Sequence, residues 1–123
     1  MREILFRGKA IDDNWYYGVP LVFTEDYVCM TAPHTYNKAV IPETVGQYTG
    51  LTDKNGTKIF EGDIMPVYEQ GEEYYYKVVY NGDCFMLAML DSEQGSYPLS
   101  TKNAISEVIG NIHDNPELLK GGE

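Results

Sequence analysis

The sequence predicts a mainly β protein, and three observations carry the prediction. Apolar residues rarely recur at the i, i+3, i+4 spacing of an amphipathic helix. Short runs rich in Val, Ile, Tyr, Phe and Trp recur instead, bounded by Gly, Pro, Asn or Asp. Near the middle, Asn81-Gly82 joins two such runs and is a strong hairpin signal.

Taken in order, residues 4–7 read as a first strand. Asp12-Asp13-Asn14 is a turn, Trp15-Tyr16-Tyr17-Gly18 opens a second strand, and residues 27–30 form a third. Residues 31–38, with Pro33, His34 and Asn37, read as a loop, and residues 43–48 return as a strand after Pro42. In the run Leu51 to Phe60, Asp53 is placed to accept backbone N–H bonds at the start of a type I turn, and Gly56 to take the positive φ that closes it. Glu61-Gly62-Asp63 is a second tight turn into a strand at 64–68, and residues 69–73 read as a solvated acidic loop.

A hairpin follows over 74–90. A two-residue type I′ turn at Asn81-Gly82 pairs Tyr80 with Asp83, Val78 with Phe85, Tyr76 with Leu87 and Tyr74 with Met89. One face then holds Tyr74, Tyr76, Val78, Phe85, Leu87 and Met89. The other holds Tyr75, Val79, Cys84, Met86 and Ala88, with Lys77 as its only charge. A small antiparallel sheet normally shows water one polar face, so the apolar second face predicts a contact. Tyr75, Val79 and Met86 are its candidate interaction residues, and self-association is the expected use. Coverage by a C-terminal helix through Leu118 and Leu119 is the alternative. Residues 107–112 read as a closing strand. Asn115 as N-cap, Pro116 in the first turn and Gly121 as the stop predict a short helix.

Composition narrows function more than it names one. The 123 residues fit one domain, and 43% hydrophobic content supports a real core. No apolar run reaches the roughly 20 residues that cross a bilayer, and the apolar stretch at the N-terminus is short for a signal peptide. Cys29 and Cys84 sit in apolar runs without metal-type spacing and read as core residues of a reducing compartment. A cytoplasmic protein is expected. Nineteen acidic against nine basic residues give a net charge of −10, which repels phosphate backbones and anionic lipid. Neither a membrane nor non-specific nucleic acid is an expected partner. Only Arg2, Arg7 and Lys9 make a locally basic stretch, and three charges there decorate a strand.

Residues 45–51 (Val-Gly-Gln-Tyr-Thr-Gly-Leu), continuing through Asp53-Lys54-Asn55-Gly56 to Ile59-Phe60-Glu61-Gly62-Asp63-Ile64, resemble the YopX family of phage and prophage proteins. The opening residues 1–4 and 6–9 share the resemblance, as do 107–112 and 115–119. It implies a β-rich fold with an SH3-like barrel, here with additional strands, the hairpin and the short C-terminal helix. It implies no established activity. Pro66 departs from the family's usual pattern. Having no N–H for a ladder, it predicts an edge strand or a bulge there.

Chemical motifs are sparse. Asp53-Lys54-Asn55-Gly56 imitates the front of a calcium loop, but its twelfth position is Ile64 instead of Glu. His34 and His113 lack partners at metal or catalytic spacing. Cys84 follows Asp83 in a strand, where neighbours point to opposite faces. Glu61 and Asp63 flank a glycine, and a turn explains them more simply than acid–base chemistry. No phosphate-binding glycine motif occurs. No catalytic residue, cofactor or metal is therefore expected. Eleven tyrosines suit β cores, peptide grooves or base stacking. The expected function is non-enzymatic: a phage or prophage accessory protein acting through protein–protein contacts. The alternative is a nucleic-acid role, as a weak binder through the barrel or as an acidic DNA mimic. A small hydrolase using Glu61, Asp63 or His113 is a third class.

Overall fold

A computed structural model describes residues 4–31, 37–92 and 94–120, with side chains up to residue 118. The chain divides into two compact units, Met1–Tyr48 and Thr49–Glu123. The protein is mainly β, its strands lying in antiparallel sheets, and short 3-10 turns supply the only helical structure among the described residues. His34 and Gly121 lie outside the described residues, as does the side chain of Leu119.

The first unit contains β1 (Phe6–Lys9), β2 (Trp15–Phe23), β3 (Val28–Thr31), β4 (Asn37–Val40) and the start of β5 (Gly46–Thr52). Its strand order is β4-β3-β2-β1-β5. Alternation puts Val28 and Met30 of β3 and Val40 of β4 in a small core with Ala10, and Phe6, Tyr16 and Val45 pack against it. Gly8 is required for close approach, since a Cβ there would lie 2.5 Å from Val40 Cγ2. Arg7, expected to decorate a strand, is buried with its guanidinium 4.7 Å over the Trp15 ring. The β2–β3 register slips between Pro20 and Val22, so Leu21 is an extra residue beside a proline that has no N–H for the ladder. β4 begins at Asn37, inside the expected loop.

In the second unit β5 turns into β6 (Lys58–Phe60). The turn forms as expected. Asp53 Oδ1 accepts the N–H groups of Asn55 and Thr57 at 2.9 and 3.0 Å, and Gly56 sits at φ +85°. A five-stranded sheet follows: β7 (Asp63–Glu69), β8 (Glu72–Tyr80), β9 (Phe85–Met89), β10 (Gly95–Pro98) and β11 (Gly110–Asn111), in the order β10-β9-β8-β7-β11. This order ends in two edges, and no closed barrel is found among the described residues. The SH3-like barrel implied by the family is thus not confirmed.

The core of this unit joins Ile59, Met65, Val67, Tyr76, Val78, Phe85, Leu87 and Leu99. Burying side chains of this size stabilises by about 1.5–3 kcal/mol each before the cost of chain entropy. The strand of Pro66 is neither the expected edge nor bulged, since β7 lies between β8 and β11 in unbroken register, and Pro66 is tolerated because it stands beyond the short β11 ladder. β11 pairs only with Asp63 and Ile64, so no described strand flanks β7 at Pro66 on that side. The Pro66 carbonyl accepts the Ser106 hydroxyl instead.

Several further expectations change. Asn81-Gly82 is not a type I′ turn, because Asn81 is not among the residues of positive φ. The loop spans residues 81–84, and Asn81 Oδ1 accepts the N–H groups of Asp83 and Cys84, both at 2.9 Å. Tyr80 therefore pairs with Phe85 and Val78 with Leu87. The two-residue slip leaves every side chain on its expected face. Cys84 becomes an exposed turn residue instead of a core residue. The left-handed pair lies at Gln70 and Gly71, φ +53° and +82°, where β7 and β8 close in register Glu69 to Glu72. The expected acidic loop is a two-residue hairpin. At the C-terminus the helix is a 3-10 segment, Pro116–Lys120, and Asn115 Oδ1 accepts Asn111 N–H. The closing strand shrinks to the two residues of β11.

Candidate functional site

The second face of the β8–β9 hairpin is narrower than its residue list suggests. Successive strands align Ile64, Lys77 and Ala88 in one row across β7, β8 and β9. All three are buried, Lys77 at 9% exposure and Ala88 at 0%. Val79 and Met86 stand opposite one another, half-buried, while half-buried Tyr75 lies beyond the Lys77 row. Met86 also folds over β10, where a Cβ on Gly95 would meet its Cβ at 2.5 Å. The Cys84 sulfur lies 3.5 Å from that of Met86. Tyr75, Val79 and Met86 thus share a face without forming one continuous open patch.

A run of more exposed apolar residues continues along β2 past Gly18. Val19, Leu21, Val22 and Phe23 are 40%, 57%, 49% and 67% exposed, and Tyr27 across the turn is 44% exposed. The signal was legible as a run: no residue between Asp13 and Glu25 carries a charge. β1 pairs with β2 only from Trp15 to Gly18, and no described strand pairs with residues 19–23 on that side. At the tip, Thr24 Oγ1 accepts the N–H groups of Asp26 and Tyr27, which holds the β2–β3 turn. The register with β3 places Val19 and Val22 on the face of Thr31 and Cys29, and Phe23 on the face of Met30 and Val28, so these exposed residues are divided between the two faces of the strand.

The tip of the β7–β8 hairpin has the opposite character. Glu69, Glu72 and Glu73 surround Tyr68, Tyr74 and Tyr76. Burial first, then the 2.9 Å hydrogen bond to Glu69 and its charge, push the Tyr76 hydroxyl up to about 12. Hydrogen bonding to Glu73 and its charge raise Tyr68, and the charge of Glu72 is the main cause of the rise at Tyr74. These tyrosines stay neutral and donate to carboxylates.

Residues singled out for chemistry are dispersed. Asp53 is 6% exposed and both its oxygens take backbone N–H groups. Burial raises its pKa, but bonds from Val108, Thr57 and Asn55 with the charge of Lys54 bring the net value below the usual carboxylate range. Asp63 is buried at 1% exposure and accepts Phe60 N–H at 2.8 Å, whereas Glu61 is half-buried. His113 is half-buried, its own N–H donated to Asn111 Oδ1. Among the described residues, no group of three or more His, Cys, Asp or Glu is placed to hold a metal ion. A cavity of about 70 Å³ beside Pro66, Tyr68, Lys102 and Ile105 is small for any ligand beyond a single side chain. No described helix is long and apolar enough to cross a membrane.

Comparison with known proteins agrees with the sequence resemblance. The family model described as YopX protein matches residues 6–120. The crystal structure of protein EF1440 from Enterococcus faecalis is similar at 26% identity and a TM-score of 0.59, covering 97% of this chain and 99% of that one. No curated protein matches the chain.

Proposed function

Because the chain belongs to the YopX family, we propose that it is a non-enzymatic accessory protein of a phage or prophage that works in the bacterial cytoplasm by binding other protein. The observation that carries this reading is the uncharged, solvent-facing apolar run of β2, with Leu21 and Phe23 both more than half exposed. Exposing that much apolar surface without a partner costs solubility, and a charge on either residue would remove the cost. The net charge of −10 supports a protein partner over nucleic acid, since binding to phosphate backbones needs cations. Val79 and Met86, with Tyr75 nearby, offer a second and smaller contact face.

Tagged protein recovered from host lysate, with mass spectrometry of what accompanies it, tests the reading. Captured protein should be lost with Phe23→Glu and kept with the distant Lys58→Glu. Hydrolysis or transfer activity that is abolished by His113→Ala in a folded protein would replace this reading with an enzymatic one.

A further inference from the structure

We infer that Asn81 is a site of self-modification, at which the side-chain amide is displaced by the backbone nitrogen of Gly82 and the residue becomes a mixture of isoaspartate and aspartate. The sequence holds two Asn-Gly pairs, Asn55-Gly56 and Asn81-Gly82, and both stand exposed in hairpin loops. Glycine in second place matters because, without a Cβ, its nitrogen can approach the preceding side chain closely. The reaction is a ring closure. The Gly82 nitrogen gives its proton to hydroxide or water and forms a bond to Asn81 Cγ. The Cγ–Nδ2 bond then breaks, and Nδ2 takes a proton from water and leaves as ammonia. Water opens the resulting five-membered imide at either carbonyl. Opening at Cγ gives aspartate, whereas opening at the main-chain carbonyl gives isoaspartate, with the chain running through Cγ.

Exposure does not separate the two pairs, but hydrogen bonding does. At Asn55 both reacting groups are engaged. The nucleophile, Gly56 N–H, is donated to the Asp53 carbonyl at 3.0 Å, and the leaving group, Asn55 Nδ2, donates to Glu107 at 3.1 Å. At Asn81 the bonds fall on the side-chain oxygen instead. Oδ1 accepts the N–H groups of Asp83 and Cys84, both at 2.9 Å. Donors aimed at that oxygen draw electron density from Cγ and stabilise the negative charge it takes up during attack. Among the described residues, no hydrogen bond engages Gly82 N–H or Asn81 Nδ2. The aspartate product keeps an oxygen for the same two N–H groups and adds a charge next to Asp83. Isoaspartate puts an additional backbone atom between Tyr80 and Phe85, which pair across this loop.

Peptide mapping by mass spectrometry on the purified full chain, kept warm in neutral and in mildly alkaline buffer, reads the outcome, with isoaspartate counted by enzymatic methylation. The peptide holding Asn81 should gain the mass of amide-to-acid exchange, faster at the higher pH, and isoaspartate should be among its products. Asn55 should convert at least roughly tenfold more slowly, the factor that one additional hydrogen bond to be broken puts on a barrier. In urea the two rates should converge, because no folded contact then protects either site. Gly82→Ala should slow Asn81 with circular dichroism unchanged, since a Cβ there meets nothing within 4 Å. The urea comparison needs no variant, so it decides the case even if the φ of +101° at Gly82 keeps the alanine protein from folding. An Asn81 that persists in the folded protein overturns the inference. So does an Asn55 that converts as fast, a folded Gly82→Ala protein with an unchanged rate, or aspartate formed without isoaspartate, which is direct hydrolysis.

Discussion

Asp53 Oδ2 accepts the backbone N–H of Val108 at 2.9 Å, joining residues 55 positions apart while Oδ1 closes the turn of its own hairpin. Asn55 Nδ2 adds a 3.1 Å bond to Glu107, and Lys54 N–H donates to the Ser106 carbonyl at 3.0 Å. One carboxylate thus organises a local turn and a distant segment together. Asp53→Ala leaves three backbone donors short of an acceptor and should cost about 2–4 kcal/mol. Urea titration with a folded-state spectrum checks it. The charge matters too. The folded pKa of Asp53 lies below its ordinary 3.8. Its contribution is therefore complete above that ordinary value, and is lost as pH falls from there through the folded value. Asp53→Asn should flatten this acid limb.

Two glycines should fail for different reasons. Around Gly56 nothing lies within 4 Å of an added Cβ, so Gly56→Val pays only for φ +85°, about 1–3 kcal/mol. Gly8 has no positive φ, but an added Cβ meets Val40 at 2.5 Å. Gly8→Ala should cost about 1–3 kcal/mol through overpacking. Truncating the partner in Gly8→Ala/Val40→Ala should recover part of that loss. No such rescue is available to Gly56→Val. Thermal melts of the four proteins separate strain from crowding.

The two β-hairpin loops of the second sheet respond oppositely to asparagine chemistry. Gln70 holds φ +53°, which costs a residue without Asn-like tolerance roughly 1 kcal/mol. Gln70→Asn should stabilise by about 0.5 kcal/mol, since Asn-Gly is preferred for this turn. Asn81 is used through its side chain, so Asn81→Gly should destabilise by about 1 kcal/mol through loss of two hydrogen bonds. A stabilising Asn81→Gly would show that backbone conformation governs that loop.

Tyr76 should be among the last tyrosines to ionise. Ultraviolet titration against Tyr76→Phe should assign it near 12. In Glu69→Gln the value should fall but stay above 10, because burial, the largest cause, remains. A tyrosine with a raised folded pKa contributes stability that is present below the unfolded value near 10. That stability is lost as pH rises from there through about 12. The alkaline limb of the stability curve should be shallower in Tyr76→Phe.

Mixed duplex DNA and single strands should not bind at physiological salt, as gel-shift titration can show. The −10 chain has few cations to neutralise phosphate, and Lys9, Lys38 and Lys54 are each held near a carboxylate. Micromolar binding that falls steeply with salt would favour the nucleic-acid alternative.

Sequence alone determined what depends on near neighbours and on parity. Asp53 and Gly56 announce their turn because its bonds close within five residues. Tyr76, Val78, Phe85 and Leu87 reach the core face because period-two alternation survives the two-residue slip at Asn81. The candidate face of Tyr75, Val79 and Met86 was legible for the same reason. Tertiary structure decided the rest. The loop at 81–84 depended on a side-chain competition that an Asn-Gly pair does not reveal. Burial of Lys77 and Ala88 within one row required knowing that Ile64 lies beside them. The bond from Val108 to Asp53 joins segments whose residue types advertise no affinity. Among the described residues, the ladder between β1 and β2 ends at Gly18. Exposure is a property of which strands meet, and a run such as Val19 to Phe23 reads equally well as buried core until its neighbours are placed.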